Sequence, residues 1–304
     1  MTSGLAAFVG RRCAAALLFV LIVSSAAFVL VRAAPGDATA DLYMNRAGGA
    51  AIAEARARLG LDRPFLEQLG SWIGGLARLD LGQSSVYGRP VAGLVTERAA
   101  ATARLAALAL VLAFGLGIPL GVLTASRPHL AAVVAPFSVA LIACPPILAV
   151  LGMMLLAVST GWMSITQGSY VVPTLALGLP VAAMIERLQW RATTDALGSP
   201  DLLAAAARGI PPARLLWRHA ARQSLRPVLG VAGAIVGSLF SGSLAVEMVT
   251  SWPGLGRLLF DAVSGRDLFL AAGCALAGAV LIAAGNLAAD IARAFADPRV
   301  REAA

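Results

Sequence analysis

Arg214, Arg218 and Arg222 recur every four residues within "ARGIPPARLLWRHAARQSLRP" (207–227), which also holds Arg208, His219 and Arg226. On a helix this spacing lines up guanidinium groups as one stripe, and like charges so placed destabilise an isolated helix by a few tenths of a kcal/mol. The stripe therefore calls for something anionic opposite it. An acidic protein surface and the headgroups of anionic lipid both fit that charge. Leu215, Leu216 and Trp217 add apolar surface for docking. The preceding "SPDLLAAAARG" reads as a helix with Ser or Asp at its start and Gly209 at its end, where a left-handed residue is cheapest as glycine. Pro211 and Pro212 suit the opening turn of a second helix. Such a helix–Gly–helix hairpin is suited to passing force to a partner.

Little else in the chain could do chemistry. There is no HExxH, no GxSxG with a distant histidine, no pair of membrane aspartates and no Walker A sequence. The two histidines, His129 and His219, and the three cysteines, Cys13, Cys144 and Cys274, stand far apart, so neither a metal site nor a disulfide framework is expected. The cysteines lie in apolar runs and read as small core residues. No catalytic residue and no bound cofactor are expected, and energy for any work must come from another chain.

The elements that carry the stripe belong to a membrane protein. The chain has 304 residues, 59% of them hydrophobic and 13% charged, with a mean hydropathy of +0.82. That is more apolar surface than a water-soluble fold of this size buries. Six apolar segments, at about 12–32, 99–125, 130–158, 171–190, 227–249 and 268–292, are long enough to span a bilayer. The first exceeds a signal-peptide core and reads as an uncleaved span. All 24 basic residues are arginine, and the formal charge is +8. In a membrane protein this points to loops facing anionic lipid rather than to nucleic acid. With the N-terminus inside, the inner segments hold Arg11, Arg12, Arg127, the run from Arg187 to Arg226, Arg293, Arg299 and Arg301. Both termini are then cytoplasmic.

The organisation expected is a first span with an outer helical segment (1–98), then a five-helix core (99–304) with the arginine-rich loop at about 191–227. In the outer part, "AAIAEARARLG" reads as a helix ended by Gly60. "PFLEQLGSWIGGLARL" reads as a helix with Pro64 at its first position and Phe65, Leu69, Trp72 and Leu76 on one face. That segment could be a docking platform for an external partner or an amphipathic helix at the membrane surface. Asp290 and Arg293 read as a local helix pair. Glu186 and Arg187 read as headgroup-exposed residues. Glu247, with Trp252 and Gly254, could line an outer gate, or be an interfacial carboxylate.

Several stretches in order along the chain resemble one family. They are "PGD" (35–37), "LGLDRPFLEQLGSWIGGLARLDLGQS" (59–84), "GIPLGVLTA", the "AAAARG" to "RHAARQSLRP" spacing, "EMVTSWPGLGRLL" (247–259) and "NLAADIARAFADPRVR" (286–301). Together they resemble the dipeptide, oligopeptide and nickel branch of binding-protein-dependent ABC-transporter permeases. The resemblance implies an all-α inner-membrane subunit of the type I importer kind. It implies six spans and a cytoplasmic coupling loop between spans four and five. It implies a second, related permease chain, two ATPase subunits that use ATP, an extracytoplasmic solute-binding protein and a lipid surround. On it, Ala205, Ala206, Arg208, Gly209, Arg214, Arg218, His219 and Arg222 would meet an ATPase. The cargo would be peptide, nickel or another small solute. The competing class, an ion-coupled secondary transporter, needs ionisable residues near the bilayer midplane, and the six segments carry almost none.

Overall fold

The computed structural model describes residues 2–33, 49–58, 62–161 and 169–296. Gly60, "PGD" at 35–37 and "DPRVR" at 297–301 lie outside them, and so does the end expected for the 50–60 helix. Among the described residues the chain is helical, with one isolated bridge between Gln83 and Pro90. The helices are α1 Thr2–Ala33, α2 Gly49–Arg58, α3 Phe65–Ala77, α4 Val91–Ser126, α5 Pro128–Ala143, α6 Pro146–Thr160, α7 Val171–Leu197 and α8 Pro200–Ala207. Then come α9 Pro212–Arg214, a π-helical turn at Leu215–Ala220 and α10 Ala221–Gly230. They are followed by α11 Ala232–Val249, α12 Leu255–Ser264 and α13 Leu268–Ala296. Five of them (Gly10–Ala33 within α1, α4, α7, α11, and Leu268–Ala294 within α13) are long and apolar enough to cross a membrane. Leu17, Leu30, Val111, Phe137 and Leu155 are well exposed, as lipid-facing residues are.

The third apolar segment, 130–158, is not a straight span. α5 and α6 meet at a bend of 113°. The break falls at Cys144-Pro145-Pro146, where Pro145 has φ −56° and ψ 140°. A proline removes a helical N–H and pushes the residue before it out of the helical region, so two in succession stop the helix. Span five also starts later than expected. Val231, at φ −103° and ψ 4°, parts α10 from α11, so residues 227–230 belong to the loop helix.

The helices pack as two compact units. One comprises Met1–Arg12, Ala103–Trp252 and Ala284–Ala304. Within it α4 and α7 cross at very close range. A Cβ placed on Gly117 would stand 2.7 Å from the Ala182 carbonyl oxygen, and one on Gly178 would stand 2.7 Å from Leu112 Cδ2. Lipid offers no hydrophobic drive between helices, so backbone proximity through small residues is a main source of their cohesion.

The other unit comprises Cys13–Thr102 and Pro253–Ala283. Phe28, Trp72, Leu81, Val91, Leu94 and Leu270 form its core. Trp72 stacks on Phe28 with ring centroids 5.8 Å apart, and its Nε1 donates to Ser24 Oγ at 3.2 Å. Leu69 and Leu76 pack on the same core. Leu69, Trp72 and Leu76 of the expected apolar face are thus covered by protein, whereas Phe65 is 38% exposed. Pro64 is the residue before the first turn, with φ −53° and ψ 144°. Asp267 caps α13 through Leu270 N at 3.0 Å. It also accepts Ser84 Oγ at 2.7 Å and Val86 N at 3.1 Å, which fastens the 84–90 loop. Burial, and then the hydrogen bond that Tyr87 Oη donates to Asp261 at 2.9 Å, push the Tyr87 phenol pKa up.

Candidate functional site: the arginine-rich hairpin

The hairpin at 199–230 is built by local backbone chemistry. Ser199 takes the extended N-cap conformation and its carbonyl accepts Leu203 N at 3.0 Å. Its hydroxyl is buried without a hydrogen bond, so the side-chain cap expected there is missing. At the other end of α8, Gly209 N donates to Ala206 O at 2.9 Å and Ile210 N to Ala205 O at 3.4 Å. These two bonds make a Schellman motif. Gly209 holds φ +82°, as the sequence requires of it. No atom lies within 4 Å of where its Cβ would be, so the glycine answers to the backbone angle and not to crowding. Pro211 is extended at φ −58° and ψ 140°, and the second helix begins at Pro212.

That helix is not uniform. Ala221 N reaches back to Leu216 O, a bond of the π type. A π turn widens the helix locally and rotates the residues beyond it. The period-four arginine pattern contains no signal for it. Ala196, Leu202 and Ala220 form a small core joining α7, α8 and the π turn, with Leu197 and Leu215 against it. The hairpin is therefore folded against α7. Leu215 turns into that core, whereas Trp217 is 46% exposed and Leu203 57% exposed.

Of the residues expected to meet an ATPase, Ala206, Arg208, Gly209, Arg214, Arg218 and Arg222 are exposed, and Arg226, outside that set, is exposed too. Ala205 is buried and His219 half-buried. Among the described residues no carboxylate pairs with any of these five arginines. The hairpin thus gathers five guanidinium groups, an indole and a leucine on a rigid, solvent-accessible support.

The residues expected at an outer gate are all buried. Glu247 is fully so, near the end of α11. Trp252 is 4% exposed and meets the Tyr170 ring edge-on at 4.5 Å between centroids. Gly254 is the N-cap residue of α12.

Three further expectations give way. Glu186 is 1% exposed and accepts the Thr124 hydroxyl at 2.9 Å and the Ser138 hydroxyl at 2.8 Å. Arg187 Nε stands 3.1 Å from its carboxylate, near enough for an ion pair but without hydrogen-bond alignment. The Arg187 guanidinium lies over Trp190, 4.5 Å from the ring centroid. Asp290 pairs with Arg12 at 3.1 Å, and Arg293 donates to the Gly230 carbonyl at 2.7 Å, so the two do not form a local pair. Of the cysteines only Cys274 is buried.

Sequence reasoning overlooked a polar cluster at the base of the hairpin. Gln189 Nε2 donates to Ser224 Oγ at 2.7 Å and to Thr193 Oγ1 at 3.1 Å, and the two hydroxyls are 3.0 Å apart. The spacing of Gln189 and Thr193 on α7 could have signalled it, since both fall on one helical face.

Comparison with known proteins agrees with this architecture. Residues 117–302 match the family described as binding-protein-dependent transport system inner membrane component, and residues 5–106 match the family described as the N-terminal part of the membrane component of such systems. An oligopeptide transport system permease protein of Bacillus subtilis (strain 168) is 30% identical, with 97% of this chain and 99% of that protein aligned. A protein of Brucella abortus (strain 2308), named as a peptide transport system permease, is 32% identical over 97% of this chain and 99% of its own. A glutathione transport system permease protein of Escherichia coli O6:H1 is 32% identical over 92% of this chain and 94% of its own. With a family model covering more than half of it and relatives of this identity along nearly its full length, the chain belongs to the inner-membrane permease components of binding-protein-dependent transport systems.

Proposed function

We infer that this permease forms half of a transmembrane pathway for peptides, with a second, related permease chain forming the other half. An extracytoplasmic solute-binding protein delivers the cargo. Two ATPase subunits on separate chains bind and hydrolyse ATP, and this chain binds no cofactor of its own. Both termini and the 199–230 hairpin face the cytoplasm. The peptide reading rests on the named activities of relatives that align along nearly the whole chain.

One observation carries the coupling role. The five exposed arginines, with Trp217 beside them, sit on a hairpin whose other side is fixed to α7. A rigid support with unpaired cations outward is what a contact surface for an acidic partner needs. The test is co-purification of the ATPase subunits with Arg218→Glu and Arg222→Glu variants. Binding should fall about tenfold or more, since like charge placed in an interface costs several kcal/mol. Full ATPase association in both variants would remove the hairpin from the interface.

A further inference from the structure

A buried polar cluster ties the hairpin to α7, and that cluster has a mechanical consequence. Gln189, Thr193 and Ser224 are 0–2% exposed. Ser224 belongs to α10 and the other two to α7. Three hydrogen bonds of 2.7, 3.0 and 3.1 Å close the triangle, and Ser224 Oγ lies 3.1 Å from Ala221 O. Gln189 is pinned from behind. A Cβ on Gly121 would stand 2.6 Å from Gln189 Cβ, so the α4 backbone leaves it no room to swing away. Shortly before Ser224 the π turn sets the angle at which α10 meets α7. Beyond Ser224 the helix ends at Gly230, whose carbonyl is held by Arg293, and continuity into α11 is lost at Val231.

We propose that Gln189, Thr193 and Ser224 are positioning residues that clasp α10 to α7 as one rigid lever, so that force on the hairpin enters the bundle through α7, with Val231 as the hinge toward α11. This rests on the coupling role given to the hairpin above. Apolar contacts alone would let two helices slip and rotate. Directional bonds among buried groups fix both register and rotation. The alternative route, along the chain from α10 into α11, passes through the one residue of that path that is not helical.

Two measurements on the assembled transporter test the clasp. In the first, Thr193→Cys and Ser224→Cys are combined in a chain whose native cysteines are replaced by serine or alanine, and the pair is oxidised with copper phenanthroline. Both substitutions remove clasp hydroxyls, so the reduced pair should couple poorly. A lever that moves as one body should regain transport to within about twofold of the parent when the disulfide replaces the clasp. No such gain, or a further loss on oxidation that reductant reverses, would overturn the proposal. A pair that stays reduced would place the side chains beyond disulfide reach and overturn it too.

In the second measurement, Ser224→Ala and Gln189→Leu are compared with Ser224→Thr for cargo moved per ATP hydrolysed. The first two should lower the ratio about fivefold, the scale at which coupling contacts act, while ATPase subunits still co-purify. Ser224→Thr keeps the hydroxyl and should restore it. An unchanged ratio, or a loss of ATPase association in step with transport, would reduce the cluster to ordinary packing. Full ATPase association in Arg218→Glu and Arg222→Glu would instead sink the coupling reading itself.

Discussion

Gly121 on α4 and Gln189 on α7 approach so closely that a methyl group on the glycine would stand 2.6 Å from Gln189 Cβ and 2.7 Å from the Glu186 carbonyl oxygen. The second neighbour is backbone and cannot turn aside. Gly121→Ala should therefore force the two helices apart and lower stability by about 1–3 kcal/mol, the range for overpacking. Gly115 lies on the same helix with nothing within 4 Å of its Cβ position. Gly115→Ala should be neutral or slightly stabilising, because alanine is the better helix former by about 1 kcal/mol. Thermal unfolding of the two variants in one detergent distinguishes crowding from propensity. Equal midpoints would contradict the close approach.

Gly209 presents the opposite case. Its Cβ position is open, and only φ +82° restricts it. An L-residue in that region costs about 1–2 kcal/mol, and asparagine is among the more tolerant residues there. Gly209→Val should leave membrane insertion intact but weaken ATPase stimulation, and Gly209→Asn should recover much of it. If both variants behave alike, and like the parent, the Schellman turn does not set the shape of the hairpin.

These two glycines mark how far the sequence could be read. Gly209 announced itself because a helix signal stopped there and two prolines came after it. Gly121 did not, because a glycine in an apolar run looks the same whether it faces lipid or another backbone. The apolar segments gave five of the spans directly, since bilayer thickness sets a minimum length. The double proline at 145–146 was visible, yet its 113° consequence was not, as single prolines within α4 and α7 are accommodated. The burial of Glu186 and Glu247 was missed for another reason. A carboxylate near the end of an apolar run reads as interfacial until its partners are known, and for Glu186 these partners, Thr124 and Ser138, lie 62 and 48 residues away in the chain. The π turn leaves no compositional trace at all.

Leu79, Ser251 and Arg266 hold φ of 58°, 54° and 53°, positions usually given to glycine. Each follows a helix and completes the paired bonds of a Schellman motif. For Leu79 these are its own N to Leu76 O at 3.2 Å and Asp80 N to Gly75 O at 2.9 Å. Leu79 is 85% exposed, so its side chain contributes little packing. Leu79→Gly should relieve the left-handed strain of about 1–2 kcal/mol, less the extra freedom glycine has when unfolded. The net expectation is a gain of roughly 0.5–1 kcal/mol, read as a higher denaturation midpoint. A lower midpoint would mean that the freedom glycine adds to the unfolded chain outweighs the relieved strain.

Glu186 is 1% exposed in the middle of a helical bundle, where an ionised carboxylate survives only with partners. It has two hydroxyl donors at 2.8 and 2.9 Å and a guanidinium nitrogen at 3.1 Å. Removing the carboxylate does more than delete those bonds. It leaves the Thr124 hydroxyl with helical carbonyls only, strands Ser138, and takes the nearby carboxylate from Arg187, whose Nε and Nη2 already lack hydrogen-bond partners. Breaking a buried pair from one side costs about 3–5 kcal/mol, so Glu186→Ala should lie near the low end of that range, because Trp190 still covers the Arg187 guanidinium. Glu186→Gln keeps an acceptor for one hydroxyl and nearly the same volume, and should lose about 1–2 kcal/mol. The order parent, Gln, Ala in detergent-resistance or thermal midpoint is set by the hydrogen bonds. If Gln is as damaging as Ala, the charge on Arg187 outweighs the hydroxyls. If neither variant shifts the midpoint, Glu186 does not hold α4, α5 and α7 together.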